Sequence, residues 1–300
     1  MKADKKPLDR AGLLKLASIA SVVTAGFLIV AKLVAYAVTG SVSMLASLVD
    51  SVMDSFASLI NLFAIRYALQ PPDAQHRFGH GKAEPLAGLA QAAFIAGSAI
   101  FLVFHAIDRL RYTHALEQVG VGVGVMALAI VMTLGLLAIQ RHVIRKTGST
   151  AIRADSLHYL TDLLTNMSVL LALYLSTIGW TWADPVFAIA VAIYIFYSAF
   201  HIGHDAFQQL MDRQLPDDIL QQIRATAMSH PEVTGTHELR TRQAGHTRFV
   251  QMHLELDENL PLKVAHAIAD DVEAEILAFL PDTEVIIHQD PADDSSKRRA

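Results

Sequence analysis

The stretch that decides the fold is LVDSVMDSFASLINLFAI, residues 48–65, where Asp50 and Asp54 interrupt a long apolar run. A second apolar stretch, LHYLTDLLTNMSVLLAL at residues 157–173, carries His158 and Asp162. A charged group placed in the hydrocarbon of a bilayer costs ~2.5 kcal/mol or more. Membrane proteins keep such groups when they pair, bind an ion or carry protons. These residues are therefore the first candidate functional site.

The spacing within each pair indicates what the four residues do together. Both pairs are separated by four positions, which places the two side chains on one face of a helix. Three carboxylates and one imidazole make four oxygen and nitrogen ligands, the number that zinc commonly takes in a tetrahedron. Buried polar residues also join membrane helices without any ion. Three carboxylates packed together without a cation would repel one another, which favours a metal site.

Composition separates a membrane part from a soluble part. The chain has 300 residues, of which 53% are hydrophobic and only 18% are charged, whereas roughly a quarter are charged in an ordinary soluble domain. The scarcity of charge is confined to residues 11–210, and residues 212–290 have the composition of an acidic soluble domain. The chain lacks the basic face of a nucleic-acid-binding protein. It contains no cysteine, so any metal must be held by His, Asp and Glu.

Six apolar segments meet the ~20-residue length of a transmembrane helix. They are predicted at residues 13–38, 42–68, 84–108, 118–141, 151–177 and 183–207. We therefore predict a transmembrane domain at 1–210, a cytoplasmic domain at 211–291 and a disordered tail at 292–300. The first segment is too long for the core of a signal peptide. Basic residues in the N-terminal arm and in the loops at 69–83 and 141–153 predict that both termini are cytoplasmic.

The soluble part has the pattern of a small α/β domain. Residues 216–229 and 261–279 are predicted to be helices, and 235–243, 247–256 and 284–288 to be strands. In the second strand, apolar and polar residues alternate from Val250 onward, which is typical of a strand with one buried face. The order α-β-β-α-β predicts a two-layer sandwich.

Two further groups of residues have the side chains of metal ligands. Asp73, His76 and His80 lie in the loop PPDAQHRFGHGK at residues 71–82, and the alternative is a solvated loop with incidental histidines. The second group lies on the predicted strands and helix of the soluble domain, and the alternative is a set of scattered surface histidines. Its members are His237, His253, His266, His288 and Asp290.

The motifs together resemble the cation diffusion facilitator family. They are GSVSMLASLVDSVMD at 40–54, RFGHGKAEPLAGLAQ at 77–91, RADSLHYLTD at 153–162, LRTRQAG at 239–245 and EVIIHQDP at 284–291. The resemblance implies a homodimer whose subunits each have six transmembrane helices and a cytoplasmic ferredoxin-like domain. It implies a transport site at Asp50, Asp54, His158 and Asp162, a loop site at Asp73, His76 and His80, and a binuclear cytoplasmic site. The ligands of that last site would be His237, His253, His266, His288 and Asp290, with Gln289 as a possible contributor.

The resemblance also implies a function. It implies export of divalent cations from the cytoplasm across the bacterial inner membrane in exchange for protons, and a charge interlock between Lys82 and Asp212 at the dimer joint. Zn²⁺ is the first expected substrate, with Cd²⁺, Fe²⁺, Co²⁺ and Mn²⁺ also compatible with His and carboxylate ligands. His158 is the expected proton-coupling residue, because imidazole titrates near neutral pH. Two alternatives are a passive metal channel and an intramembrane aspartyl peptidase that uses Asp54 and Asp162.

Overall fold

The structure is a computed structural model that describes residues 9–40, 42–111, 120–177, 180 and 183–292. The chain divides into two compact units, Met1–Phe207 and Gln208–Ala300. The tail predicted to be disordered lies outside the described residues, apart from Ala292.

The first unit is built from long helices that follow the predicted apolar segments. They are α1 (Arg10–Thr39), α2 (Val42–Ala68), α3 (Ala83–Arg111), α4 (Gly120–Thr147), α5 (Thr150–Thr177) and α6 (Ala183–Leu210). The basic segment at 141–153, predicted to be a loop, is mostly helical, and only Gly148 and Ser149 separate α4 from α5. Arg145 and Lys146 lie in the last turn of α4, where cations offset the partial negative charge of exposed carbonyls.

Five of these helices are long and apolar enough to cross a membrane by length and composition. The spans lie at Arg10–Thr39, Ser47–Ala68, Ala83–Phe104, Gly124–Thr147 and Val186–Leu210. Helix α5 is similarly long, with 28 residues, but the part of it whose side chains the structure describes does not by itself form such a span. That part contains Arg153, Asp155, His158 and Asp162.

Helix α5 packs against other helices on two sides. On one side Ala154 and Leu157 join a buried cluster with α3 and α6, and on the other side Ala151 and Ile152 join a cluster with α1, α2 and α4. Gly88 of α3 lies so close that a Cβ there would come within 3.3 Å of the Thr150 backbone. A helix enclosed on both sides can carry polar residues, because they face protein groups and not lipid.

Small residues lie at the helix contacts and large apolar residues face outward. Ala17, Ala154 and Ala199 are almost completely buried, whereas Phe101 and Phe104 on α3 are mostly exposed. Small residues let membrane helices approach closely, while outward phenylalanines suit a lipid environment.

The second unit has the predicted order of elements. It consists of α7 (Asp217–Ser229), β1 (Gly235–Ala244), β2 (Thr247–Leu256), α8 (Leu262–Phe279) and β3 (Thr283–Pro291). The third strand continues three residues beyond its predicted end, to Pro291. The strand order is β1-β2-β3, with β2 antiparallel to β1 and parallel to β3.

The two faces of this sheet differ in character. Val250, Met252 and Leu254 of β2 point into a core that both helices cover, with Ile223 from α7 and Val272 from α8. Because successive strand residues point to opposite faces, the intervening His253 lies on the face without helices. The sheet therefore presents its histidines on the side away from its hydrophobic core.

Candidate metal centres

The first cluster lies in the helical unit, where α2 and α5 meet. His158 and Asp162 lie one turn apart on α5, and Asp54 on α2 faces them. The distance from His158 Nε2 to Asp54 Oδ1 is 3.0 Å. One ligand atom from each residue lies within 4.8 Å of the other two. We refer to Asp54, His158 and Asp162 as the helix cluster.

One nitrogen of the helix cluster faces a carboxylate at close range. His158 Nε2 is buried, and Asp54 Oδ1 lies 3.0 Å from it. The lone pair of a neutral imidazole and a carboxylate oxygen repel each other unless a proton or a cation lies between them. The imidazole and the carboxylate are therefore arranged so that they can share either a proton or a metal ion.

A cavity of about 170 Å³ opens beside the helix cluster. Asp50, Asp54 and Asp162 line it, together with Thr165 and Asn166. Because one water molecule takes ~30 Å³ in the liquid, the cavity has room for a cation that keeps part of its hydration shell. Asp50 thus shares the cavity, one helical turn from Asp54, but it lies outside the group of ligand atoms within 4.8 Å. The structure brings three of the four predicted residues into direct reach of one another.

A buried hydrogen-bond network holds α5 in place next to the helix cluster. The Asp155 carboxylate is completely buried and accepts hydrogen bonds from the Ser21 hydroxyl at 2.5 Å and from Gln140 Nε2 at 2.8 Å. The Tyr159 hydroxyl donates to the Ser21 carbonyl at 3.1 Å. These bonds tie α5 to α1 and α4, one turn from His158. Our sequence analysis missed Asp155, although a carboxylate in an apolar helix was the very signal used for Asp54.

The second cluster is the loop group, which follows α2. His80 Nε2 lies 3.2 Å from Asp73 Oδ2, and His76 Nδ1 lies 3.5 Å from Asp73 Oδ1. All three residues can direct one ligand atom into a common space. The His80 side chain is buried, and its Nε2 makes no hydrogen bond. Gly79 has a φ of 78°, which a glycine adopts without strain and which turns the chain back toward α3.

Backbone hydrogen bonds stabilise the ionised form of the Asp73 carboxylate. The N–H groups of His76 and Gln75 donate to Asp73 Oδ1 at 2.6 and 2.8 Å, and they hold the pKa of Asp73 below its ordinary value. Asp73 therefore stays ionised on acidification well past the range in which imidazoles gain protons. We expect acidification to weaken metal binding by the loop through its imidazoles and not through Asp73, because a protonated imidazole cannot coordinate a metal.

Substitution of Asp73 can separate ligation from loop structure. Asp73→Asn keeps the oxygen that accepts the two backbone N–H groups but removes the charge, whereas Asp73→Ala removes both. We expect each variant to weaken Zn²⁺ binding at the loop by at least about tenfold, with Asp73→Ala also loosening the turn. Calorimetry is the measurement, in a chain where Asp54 and Asp290 are replaced so that only the loop binds. Unchanged affinity in Asp73→Asn would contradict the ligand role.

The third cluster lies on the open face of the sheet in the second unit. Strand register places His237, His253 and His288 side by side on β1, β2 and β3. The buried Asp290 carboxylate reaches all three. Its oxygens lie 3.2 Å from His237 Nε2, 2.7 Å from His253 Nδ1 and 3.1 Å from His288 Nε2. We refer to His237, His253, His288 and Asp290 as the sheet cluster, in which His237, His253 and Asp290 each bring one ligand atom within 4.8 Å of the others and His288 joins them through the Asp290 carboxylate.

Two residues predicted for this centre lie apart from it. His266 is on α8, exposed, and paired with Asp270 at 3.6 Å. Within the described part of the chain it belongs to no group of three ligands within 4.8 Å. Gln289 lies between His288 and Asp290 on β3, so its side chain points to the opposite face of the sheet. Any role of Gln289 at the sheet cluster would therefore involve its backbone.

Glu255 is a neighbour of the sheet cluster that our sequence analysis missed. Its Oε1 lies 3.1 Å from His237 Nδ1, the nitrogen that faces away from Asp290. Gly235 makes room for it, because a Cβ at position 235 would collide with the Glu255 carboxylate. A carboxylate behind a metal-binding imidazole fixes the ring and raises its basicity. The alternation on β2 places Glu255 on the same face as His253, so the signal was present in the strand pattern.

Replacing Glu255 should weaken the sheet cluster without removing a predicted ligand. We expect Glu255→Gln to reduce metal affinity there by ~10- to 100-fold, the usual effect of losing such a carboxylate. Calorimetry with Zn²⁺ on the full chain, with Asp54 and Asp73 replaced, measures this. The matched control is Glu258→Gln, an exposed glutamate just beyond β2. An equal loss of affinity in both variants would contradict the proposed role of Glu255.

The predicted interlock between Lys82 and Asp212 joins residues of different units and stays a prediction. Within the second unit, Asp212 has a φ of 56° and its Oδ1 lies 3.6 Å from Arg242 Nη1.

Comparison with known sequences identifies the family. Residues 18–211 match a family model described as the cation efflux transmembrane domain, and residues 215–292 match one described as the cation efflux protein cytoplasmic domain. The chain belongs to the cation efflux family, the cation diffusion facilitators. The resemblance inferred from the motifs is confirmed. The chain is thus a membrane transporter of cations and not an enzyme, which excludes the aspartyl peptidase alternative.

Individual relatives agree with this assignment. The cation-efflux pump FieF of Shewanella oneidensis is 53% identical over 277 residues, which cover 92% of this chain and 94% of that protein. FieF of Klebsiella pneumoniae is 52% identical over 276 residues, 92% of each chain. These pumps are YiiP-like members of the family. Among solved structures, the metal-bound C-terminal domain of the CzcD transporter from Thermotoga maritima is 32% identical. It covers 25% of this chain and 87% of that one, with a TM-score of 0.24.

Proposed function

We propose that this protein exports Zn²⁺ from the cytoplasm in exchange for protons, and that the helix cluster is its transport site, completed by Asp50. The observation that carries the proposal is the close grouping of Asp54, His158 and Asp162, with His158 Nε2 buried 3.0 Å from the Asp54 carboxylate within an apolar helix bundle. Either a proton or a divalent cation between the imidazole and the carboxylates would remove the repulsion between them. A site that holds either one, in turn, couples their movements.

Charge supports the coupling. Asp50, Asp54 and Asp162 contribute up to three negative charges to one cavity inside the membrane domain. Such a cavity is costly in a low-dielectric environment when it is empty, and either protons or a divalent cation lower the cost. Protons arriving from the outer side would displace the metal, and the neutral cytoplasm would favour loading it again. His158 is the proposed proton-coupling residue because its Nε2 faces the Asp54 carboxylate, and a metal bound there would displace a proton held between them.

The choice of metal follows from the ligands. Imidazole and carboxylate groups in a chain without cysteine suit Zn²⁺, and they also accept Cd²⁺, Fe²⁺, Co²⁺ and Mn²⁺. We place Zn²⁺ first because four such ligands match its tetrahedral preference. The other ions are expected to compete according to geometry and availability.

The proposed membrane topology has six spans in the bacterial inner membrane. Helix α5 is the additional span that brings the number from five to six, because it is as long as the others and is enclosed by them. Arginines and lysines at the end of α4 and the start of α5, together with those of the N-terminal arm, favour a cytoplasmic side for both termini. Rocking of helices around the site would then alternate access between the two sides.

The second unit is proposed to be a ferredoxin-like domain that joins two subunits through metal. His288 is 63% exposed although it contacts Asp290, so the sheet cluster is open on one side. Zinc completes its coordination with about four ligands. We propose that His266, exposed on α8 and outside the cluster, supplies a ligand to the cluster of a second copy of the chain. Asp290, which reaches three histidines, is suited to bridge two ions.

Flux measurements in sealed vesicles test the proposed function. With the purified protein in the vesicle membrane, an acidic interior should drive Zn²⁺ inward against its own gradient, and added Zn²⁺ should move protons outward. A metal-sensitive dye and a pH-sensitive dye report the two fluxes. The passive channel predicts that a pH gradient moves no Zn²⁺ uphill, so that result would replace the antiporter with the channel.

A further inference from the structure

A lysine faces the acidic cavity from a helix that contributes none of the predicted ligands. Lys32 is on α1, and its ammonium donates hydrogen bonds to the Ser51 hydroxyl at 2.6 Å and to the Ser47 carbonyl at 3.1 Å. Both acceptors lie on α2, on either side of Asp50. Lys32 lines the same cavity as Asp50, Asp54 and Asp162. An ammonium group thus lies at the site where a metal cation is proposed to bind.

The hydrogen-bond partners of Lys32 determine how it can affect the aspartates of the cavity. Among the described residues, no carboxylate oxygen lies within ion-pair distance of its ammonium, and serine oxygens hold it instead. The carboxylates therefore stay available to a metal ion. Lys32 acts on them through its charge across the cavity, where partial burial limits screening by water. A neutral residue making the same two hydrogen bonds would leave the packing unchanged and remove this effect.

Charge balance gives the lysine a specific role. With all three aspartates ionised and His158 neutral, as a metal-binding imidazole is, Lys32 brings the cavity from three negative charges to two. A divalent cation then neutralises it fully, whereas without the lysine the loaded cavity would keep one negative charge. Excess negative charge would hold the metal more tightly and slow its departure.

We propose that Lys32 is a tethered counter-cation that sets the charge of the transport site and thereby speeds release of the metal. Lys32 is a positioning residue in this sense, because it acts through the aspartates and does not touch the metal. The inference rests on the proposed transport site. It predicts that loss of the lysine charge tightens metal binding and lowers turnover, a combination that a general structural defect does not produce.

The test uses the full chain with Asp73 and Asp290 replaced, so that Zn²⁺ binds at the transport site alone. We expect Lys32→Met to lower the Kd for Zn²⁺ by about tenfold, and to lower both KM and kcat for flux in vesicles. Lys32→Arg should restore both constants. Lys15→Met is the matched control, because Lys15 lies on the same helix, exposed and away from the cavity.

Lys32→Gln is a second neutral variant that keeps a hydrogen-bond donor for Ser51, so the test does not depend on Lys32→Met folding correctly. We expect Lys32→Gln to lower the Kd and the KM for Zn²⁺ as Lys32→Met does. Unchanged or weaker Zn²⁺ binding in both neutral variants would overturn the inference, as would an equal defect in Lys32→Arg. Asp54→Ala, in the same chain without Asp73 and Asp290, separates a failure of the proposed transport site from a failure of the proposed role of Lys32. If Asp54→Ala leaves Zn²⁺ binding intact, the proposed transport site itself is wrong. If it abolishes binding while Lys32→Met has no effect, only the role of Lys32 is wrong.

Discussion

Replacing Asp54 or Asp162 with asparagine should abolish zinc-driven proton flux, with a fall of at least about 100-fold. Each substitution removes one negative charge and one ligand from the helix cluster, and charge-assisted ligands contribute most to holding an ion in a low-dielectric site. Asparagine has nearly the same size as aspartate, so the packing of α2 against α5 should persist. Proton and Zn²⁺ fluxes in sealed vesicles are the measurement.

Two controls make this result specific. Asp218→Asn changes an exposed carboxylate on α7 in the other unit and should leave flux unchanged. Thermal unfolding of each variant in detergent should show that Asp54→Asn and Asp162→Asn remain folded. Normal exchange in both helix-cluster variants would reject the transport-site assignment. Loss of flux accompanied by loss of folding would instead assign the residues a structural role.

Replacing Asp290 should empty the cytoplasmic metal centre. The buried carboxylate lies within 3.2 Å of all three histidines of the sheet cluster. Asp290→Asn preserves shape and some hydrogen bonding but removes the negative charge that would bridge two ions. We expect the variant to lose the metal ions bound by the second unit, measured by elemental analysis after dialysis.

The same variant should lose metal-dependent stability. A metal that binds only the folded state stabilises it by ~4 kcal/mol at a concentration 1,000 times its Kd. In Asp290→Asn, added Zn²⁺ should therefore no longer raise the melting temperature of the second unit, and it should no longer promote dimers in light scattering. Asp271→Asn, an exposed aspartate on α8, is the control. A full Zn²⁺ response in Asp290→Asn would show that the carboxylate is not a ligand.

Local patterns were sufficient for some of the site. The spacing of His158 and Asp162 predicts one helix face whatever that helix packs against, because helical periodicity is a property of the backbone. The same reasoning applied to Lys32 and Asp155 would have identified both, since each is an ionisable residue in an apolar helix. The sequence does not show that Lys32 bonds to serines on α2 or that Asp155 joins α1 to α4. Those contacts depend on the rotation of each helix about its axis.

The sequence by itself determined the number and type of elements, the division into apolar and soluble parts, the family and the residues with ligand chemistry. These depend on hydropathy and periodicity, which are properties of neighbouring residues. The tertiary structure decided which candidate ligands meet. Strand register aligned His237, His253 and His288 around Asp290, and helix packing brought Asp54 to His158 while it left Asp50 one turn away. Register and helix rotation are set by contacts between residues distant in the chain, because packing many side chains at once selects one arrangement from several that local patterns allow.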